Sequence, residues 1–160
     1  MKRLRLYLDT TVRNFPFADD APEKQAHTLD FFQRIRYGVF EIYTSQAVLE
    51  ELEGAPEPRR SQVMALWQET SHTPLEIPVE AGDLAMLYLK QKALPPRSVA
   101  DALHVALTTI HQMDALVSWN FKHLANLTRH SKLASVNLSQ GYNHPLERVT
   151  PLEVLDDEKR

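Results

Sequence analysis

Short apolar strand patterns alternate with amphipathic helix patterns along nearly the whole chain, and this alternation constrains the fold more than any other feature. Leu4, Leu6 and Leu8 alternate with polar residues as a strand does. Residues 24–37 then carry Leu29, Phe32, Ile35 and Arg36 at helical spacing. Val39-Phe40-Glu41-Ile42-Tyr43 reads as a second strand, and Ser45 is placed to cap the next helix. Gly54 to Pro58 is a turn, and Val63, Leu66 and Trp67 mark another helix. Leu75-Glu76-Ile77-Pro78-Val79 reads as a short edge strand, because Pro78 cannot complete a central ladder.

Residues 80–92 are helical, and Pro95-Pro96 ends the run. Ser98 opens a helix whose apolar stripe is Val99, Leu103, Ala106, Leu107 and Ile110. Ala115-Leu116-Val117 is a buried strand, followed by a short helix near Lys122–Leu127 and a strand near Ala134–Leu138. Such a sequence of elements predicts an α/β fold: a mostly parallel central sheet with helices on both faces, in three layers. The 160 residues suit one domain over 1–153, with 154–160 as a solvated tail.

Composition excludes several classes. Hydrophobic residues make up 43%, enough for a core and too many for a disordered chain. No run approaches the roughly 20 apolar residues of a membrane span, so no membrane is expected as partner. The basic N-terminus lacks the apolar block of a signal peptide. Without cysteine there are no disulfides and no thiolate metal sites, and a cytoplasmic location is expected. The net charge of −3 argues against a simple nucleic-acid-binding module. It argues less against a metal-dependent nuclease, because a divalent ion changes what an acidic cleft can bind.

The acids are placed in a way that composition does not convey. In open parallel sheets, ligands bind beyond the carboxyl ends of the strands. Asp9 closes the first strand and Asn120 follows a later one. Asp9 is also well placed as a turn former or helix cap. Glu50 and Glu51 differ by their angle on a helix whose apolar face is Val48, Leu49 and Leu52. At about 100° per residue, Glu50 points away from that face and Glu51 lies at its margin, where it can enter a cleft. Asp101 stands three residues after Ser98, as in a capping box, and His104 one turn further on is spaced to pair with it.

Asp114 begins its strand and so belongs to the opposite edge, in a structural role. The seven histidines show no zinc spacing, and there is no phosphate-cradling glycine loop among four glycines. Acids that converge on one sheet edge would make an oxygen-rich site, which selects Mg²⁺ or Mn²⁺ over zinc.

Taken together, these stretches resemble the PIN domain family, and within it the VapC-like toxin ribonucleases of bacterial toxin–antitoxin pairs. Leu6-Tyr7-Leu8-Asp9-Thr10-Thr11 looks like the family's opening strand with its metal-binding Asp. Ser45-Gln46-Ala47-Val48-Leu49-Glu50-Glu51-Leu52 looks like the second motif, whose acid stands just before a Leu, which points to Glu51. Asp101-Ala102-Leu103-His104-Val105-Ala106-Leu107 looks like the third motif, and Leu116 to Leu124 is similar to a variant fourth. Gly141-Tyr142 to Glu153 resembles the ending of one branch. The family often has an Asp where this chain has Asn120, whose carbonyl can ligate a hard cation but brings no charge.

The resemblance implies a PIN-like fold and a Mg²⁺- or Mn²⁺-dependent endoribonuclease. Asp9, Glu51 and Asp101 would hold the metal, and Asn120 would complete the catalytic set by positioning a ligand or water. Thr11 would hydrogen-bond from behind. Arg13, Lys122 and His123 would contact RNA phosphates. A cognate antitoxin protein would be a partner, and a homodimer is expected, with Phe31-Phe32, Tyr37 and Trp67 as spare apolar surface. Three other readings stay open: an inactive PIN module that binds RNA or a protein, an aspartyl phosphatase of the haloacid dehalogenase type, and a structural α/β interaction protein. The phosphatase reading wants a second Asp two residues after Asp9, where the chain has Thr11.

Overall fold

The alternating residues at the start of the chain do form a strand, β1 (Leu4–Leu8), and it becomes the middle of the sheet. The computed structural model describes residues 2–120 and 123–158. Along the chain, β1 is followed by a short helix α1 (Thr10–Asn14), a 3-10 turn at Phe15–Phe17, and α2 (Pro22–Arg36). Next come β2 (Phe40–Ser45), α3 (Gln46–Glu53), α4 (Arg59–Glu69), β3 (Thr73–Leu75) and α5 (Val79–Lys90). The last elements are α6 (Val99–Ile110), β4 (Ala115–Val117), α7 (His123–Ser139), β5 (Arg148–Val149) and α8 (Pro151–Glu158).

The strands lie in the order β3-β2-β1-β4-β5, and every described pairing is parallel. Leu6 is in register with Ile42 on one side and Ala115 on the other. The chain therefore moves outward from β1 to β2 and β3, then crosses back over β1 to place β4 and β5 on its other side. That reversal leaves a crevice at the carboxyl ends of β1 and β4, the usual ligand position in an open parallel sheet.

Alternation within β1 builds both cores. Leu6 and Leu8 join Phe31, Phe32, Ile35, Phe40, Ile42, Val154 and Leu155 on the α2–α8 side. Tyr7 faces the other way, into a larger cluster with Val48, Leu52, Leu84, Tyr88, Val105, Leu107 and Leu133. Each such side chain taken fully out of water contributes about 1.5–3 kcal/mol. The result is the expected three-layer α/β arrangement, and it is consistent with a PIN-like fold. No described helix is long and apolar enough to cross a membrane.

Several expectations shift. Residues 134–138 are not a strand but part of α7, where Leu133, Val136 and Asn137 are buried at helical spacing and Leu138 is 62% exposed. The last strand is instead the two-residue β5. The edge strand β3 holds Pro74 rather than Pro78, which starts the turn into α5. Residues 154–158 continue as α8 rather than as a loose tail, because Val154 and Leu155 are buried while Asp156 and Asp157 stay exposed. Phe31 and Phe32 are core residues and not spare surface; Trp67 is partly buried, and only Tyr37 of that set stands out in solvent, at 71% exposure. Asp114 lies at the opposite edge, as expected, where its Oδ2 accepts the Arg5 N–H at 2.8 Å.

Candidate active site

Three separate stretches meet at the carboxyl end of the sheet. Asp9 follows β1, Ser118 and Asn120 follow β4, and Asp101 sits in the first turn of α6. Together they line a cavity of about 290 Å³, whose wall also includes His104, Arg97, Arg129 and Arg148.

Asp9 does two jobs. Its Oδ1 caps α1, accepting the Thr11 N–H at 3.0 Å, the Val12 N–H at 3.3 Å and the Thr11 hydroxyl at 2.6 Å. Thr11 Oγ1 in turn accepts the Trp119 N–H at 2.9 Å, which ties the turn after β1 to the turn after β4. The Asp9 N–H donates to Val117 O, and the Ser118 hydroxyl accepts the Asn120 N–H at 3.0 Å. Asp9 is only 4% exposed. Burial pushes its carboxyl above the usual range, against the lowering effect of hydrogen bonds from Ser118 and Thr11.

Asp101 is not spent on capping. Ser98 precedes α6 but makes no side-chain cap bond. The Asp101 carboxylate faces the cavity instead, where Oδ2 accepts the Asn120 amide at 3.2 Å. Burial raises its pKa and the nearby Glu51 charge adds to the rise, while His104, Asn120 and Arg148 work the other way. Neither Asp9 nor Asp101 forms a salt bridge among the described residues.

Glu51 reaches the site through a buried relay that spacing alone does not reveal. His104 Nε2 lies 2.7 Å from Glu51 Oε1, and His104 Nδ1 lies 2.8 Å from the Tyr7 hydroxyl. The Tyr7 hydroxyl lies 2.7 Å from Ser45 Oγ. An ionised carboxylate only accepts, so His104 donates from Nε2 to Glu51, and when the ring is neutral its Nδ1 accepts from the Tyr7 hydroxyl. Tyr7 then takes its own hydrogen bond from Ser45. His104 thus joins Glu51 and Tyr7 rather than Asp101. Burial alone would raise the Glu51 pKa, but the hydrogen bond from His104, and its charge when the ring is protonated, outweigh it and hold the carboxyl below its usual value. Glu50 makes no such contact and stays exposed.

Of the cations the sequence pointed to, Arg13 alone has a described side chain. Arg13 is fully buried, with its guanidinium 4.8 Å from the Trp67 ring centre, so no phosphate can touch it in this conformation. Lys122 and the side chain of His123 lie outside the described residues, as does any cap that Asn120 gives the helix after it. Arg97, Arg129 and Arg148 line the cavity. The Arg148 guanidinium is pushed down to about 10 by burial and by the Arg129 charge, with Asp101 opposing. Nothing in the spacing of residues 97, 129 and 148 marks them as neighbours, because they come from the turn before α6, from α7 and from β5.

The donor set fits a hard cation. Two carboxylates without a salt bridge, both raised by burial, face one cavity beside an amide, and oxygen ligands of this kind suit Mg²⁺ or Mn²⁺. The acids are not drawn into one ready ligand set, since among the described residues no three metal-binding side chains cluster closely enough to hold an ion. Asp9, Glu51 and Asp101 are each held by hydrogen bonds from the protein itself. The sequence matches no family model and no curated protein.

Proposed function

We propose that the chain is a Mg²⁺- or Mn²⁺-dependent endoribonuclease of the PIN kind, acting as the toxin of a toxin–antitoxin pair. One observation carries this reading. Acids from the ends of separate elements open into a single cavity whose rim carries three arginines. The acids provide for a cation and the arginines for a phosphodiester, a combination that a phosphate-cleaving site needs. A simple cation store has no use for the arginines, and a simple anion-binding pocket has no use for Asp9 and Asp101.

Asp9, Asp101 and Glu51 would have to draw together to hold the ion, since they do not cluster closely enough as they stand, with the Asn120 carbonyl or amide placing a water or phosphate oxygen. The ion supplies charge against the transition state and a lowered pKa for an attacking water. The rest falls to the chain. Thr11 and the α1 N–H groups fix the Asp9 carboxylate, His104 fixes Glu51, and Arg148 and Arg129 offset phosphate charge in a partly dry cavity where that charge counts for more. Water adds to phosphorus, the ester P–O bond breaks, and the leaving oxygen takes up a proton. A haloacid-dehalogenase-type use of Asp9 as nucleophile is less well supported, since its Oδ1 already accepts from Thr11 and Val12.

Cleavage of single-stranded RNA with Mn²⁺, compared with the same reaction in excess chelator, tests the proposal. Asp9→Asn keeps a good helix cap and should abolish both cleavage and calorimetric Mn²⁺ binding in a folded protein. Unchanged Mn²⁺ binding by that variant ends the reading. A second reading, an inactive module of the same fold, draws on the hydrogen bonds that already engage each acid. It expects RNA binding with no Mn²⁺-dependent turnover. The toxin role brings an antitoxin protein and a homodimer as proposed partners, and light scattering at twice the 18.4 kDa chain mass would support the dimer.

A further inference from the structure

A second depression of about 390 Å³ adjoins the active-site cavity and shares Leu94, Pro95 and Arg129 with it. Its other lining residues are Lys92, Pro96, Thr128 and Lys132. No acid is among them. Elsewhere on the surface, Arg3 meets Glu41, Arg36 meets Glu69 and Arg60 meets Glu57, while Lys24, Lys90 and Arg97 meet no acid among the described residues. Lys92, Arg129 and Lys132 have no such partner among the described residues, although the chain as a whole carries a net charge of −3.

The apolar part of the depression's lining is Leu94, Pro95 and Pro96, and its cations are Lys92 and, from α7, Arg129 and Lys132. Lys92 holds a backbone φ of 59°, a left-handed conformation that glycine and asparagine adopt more readily. Cations together with an apolar lining fit a strand that offers phosphates on one edge and flat bases on the other.

We propose that single-stranded RNA leaves the active-site cavity over Arg129 and runs across Lys132 and Lys92, with its bases against Leu94, Pro95 and Pro96. This rests on the ribonuclease reading of the adjoining cavity. A duplex keeps its base faces stacked inside and cannot use the apolar lining.

Binding without chemistry tests the track. A fluorescein-labelled single-stranded RNA of about twelve nucleotides is titrated with the protein in chelator, and anisotropy is followed at several salt concentrations. Lys92→Asn keeps the left-handed turn and Lys132→Gln keeps the helix, so the double variant should fold as wild type does. Losing two phosphate contacts should lower the slope of log affinity against log salt by about 1.4 and cut affinity by about tenfold near 0.1 M salt. Unchanged slope and affinity overturn the track, as does equal affinity for a duplex of the same length or no binding by wild type. Cleavage is read separately on adding Mn²⁺. Lysine-dependent binding without cleavage keeps the track and removes the nuclease, whereas cleavage with lysine-independent binding does the reverse.

Discussion

His104 Nε2 and Glu51 Oε1 stand 2.7 Å apart, linking the helix after β2 to the helix before β4 across the mouth of the sheet. Glu51 itself is partly exposed, but the histidine that holds it is 2% exposed and rests on the buried Tyr7. A flexible side chain is thereby fixed by a rigid one. His104→Leu should leave Glu51 free to rotate and lower kcat for RNA cleavage by about tenfold or more. His104→Gln, which can still donate to the carboxylate, should recover part of that loss. Leu and Gln variants with equal activity and equal Mn²⁺ affinity would show that the histidine only fills space.

The same relay separates two neighbouring acids. Glu51→Gln should lower cleavage by about a hundredfold, because it removes charge from the site and leaves His104 only a neutral, weaker acceptor. Glu50→Gln should stay within about twofold of wild type, since Glu50 is exposed and the bond from His104 goes to Glu51. Single-turnover kinetics on both variants checks this, and losses of similar size would reject the assignment.

Asn120 donates its amide to Asp101 Oδ2 at 3.2 Å, so this position steadies a carboxylate when no cation is present. Asn120→Asp replaces the donor with a second negative charge beside an acid whose pKa burial already raises. Without metal, the variant should therefore melt below wild type at neutral pH. With Mn²⁺ the sign reverses, and affinity should rise by about tenfold, or about 1.4 kcal/mol. Calorimetry and thermal melts, each with and without Mn²⁺, check both signs. Identical Mn²⁺ affinities would leave Asn120 as a turn and capping residue only.

The parts of this architecture that were legible share a local cause. Leu6 and Leu8 recur at strand spacing because both face the α2–α8 core while Tyr7 between them turns the other way, and Glu51 can be told from Glu50 because a helix fixes their angle. Residues 134–138 misread because Ala134, Val136 and Leu138 alternate as a strand would, and a short window cannot separate the two periods. Tertiary neighbours are harder still. Tyr7 offered a faint signal, a hydroxyl in the middle of an apolar strand that must find a partner once buried, and His104 lies on the most apolar helix. No spacing joins Arg97, Arg129 and Arg148, which only the sheet topology brings to one rim. The same holds for Arg13, which reads as a surface cation near an acid and proves to be wholly inside.

Arg13 gives the last prediction. Its Nε, Nη1 and Nη2 are buried and meet no hydrogen-bond partner among the described residues; the face of Trp67 is its close contact. Burial pushes the guanidinium down to about 10, although Tyr7 and Asp9 act to raise it. The folded-state value lies below the ordinary one, so the penalty is full at every pH below about 10 and vanishes only above the unfolded value. A buried charge of this kind is often replaced by an apolar group with gain. Arg13→Met should raise stability at pH 7 by about 1–3 kcal/mol after losing the ring contact. At about 2–4 °C per kcal/mol, that shift is easily seen in a melt. The charge also reaches His72, whose pKa is lowered by burial first and by Arg13 as well, with a bond to the Thr70 carbonyl opposing. An NMR titration should therefore find the His72 pKa higher in Arg13→Met than in wild type. A lower melting temperature together with an unmoved His72 would show that the guanidinium is better satisfied than its surroundings indicate.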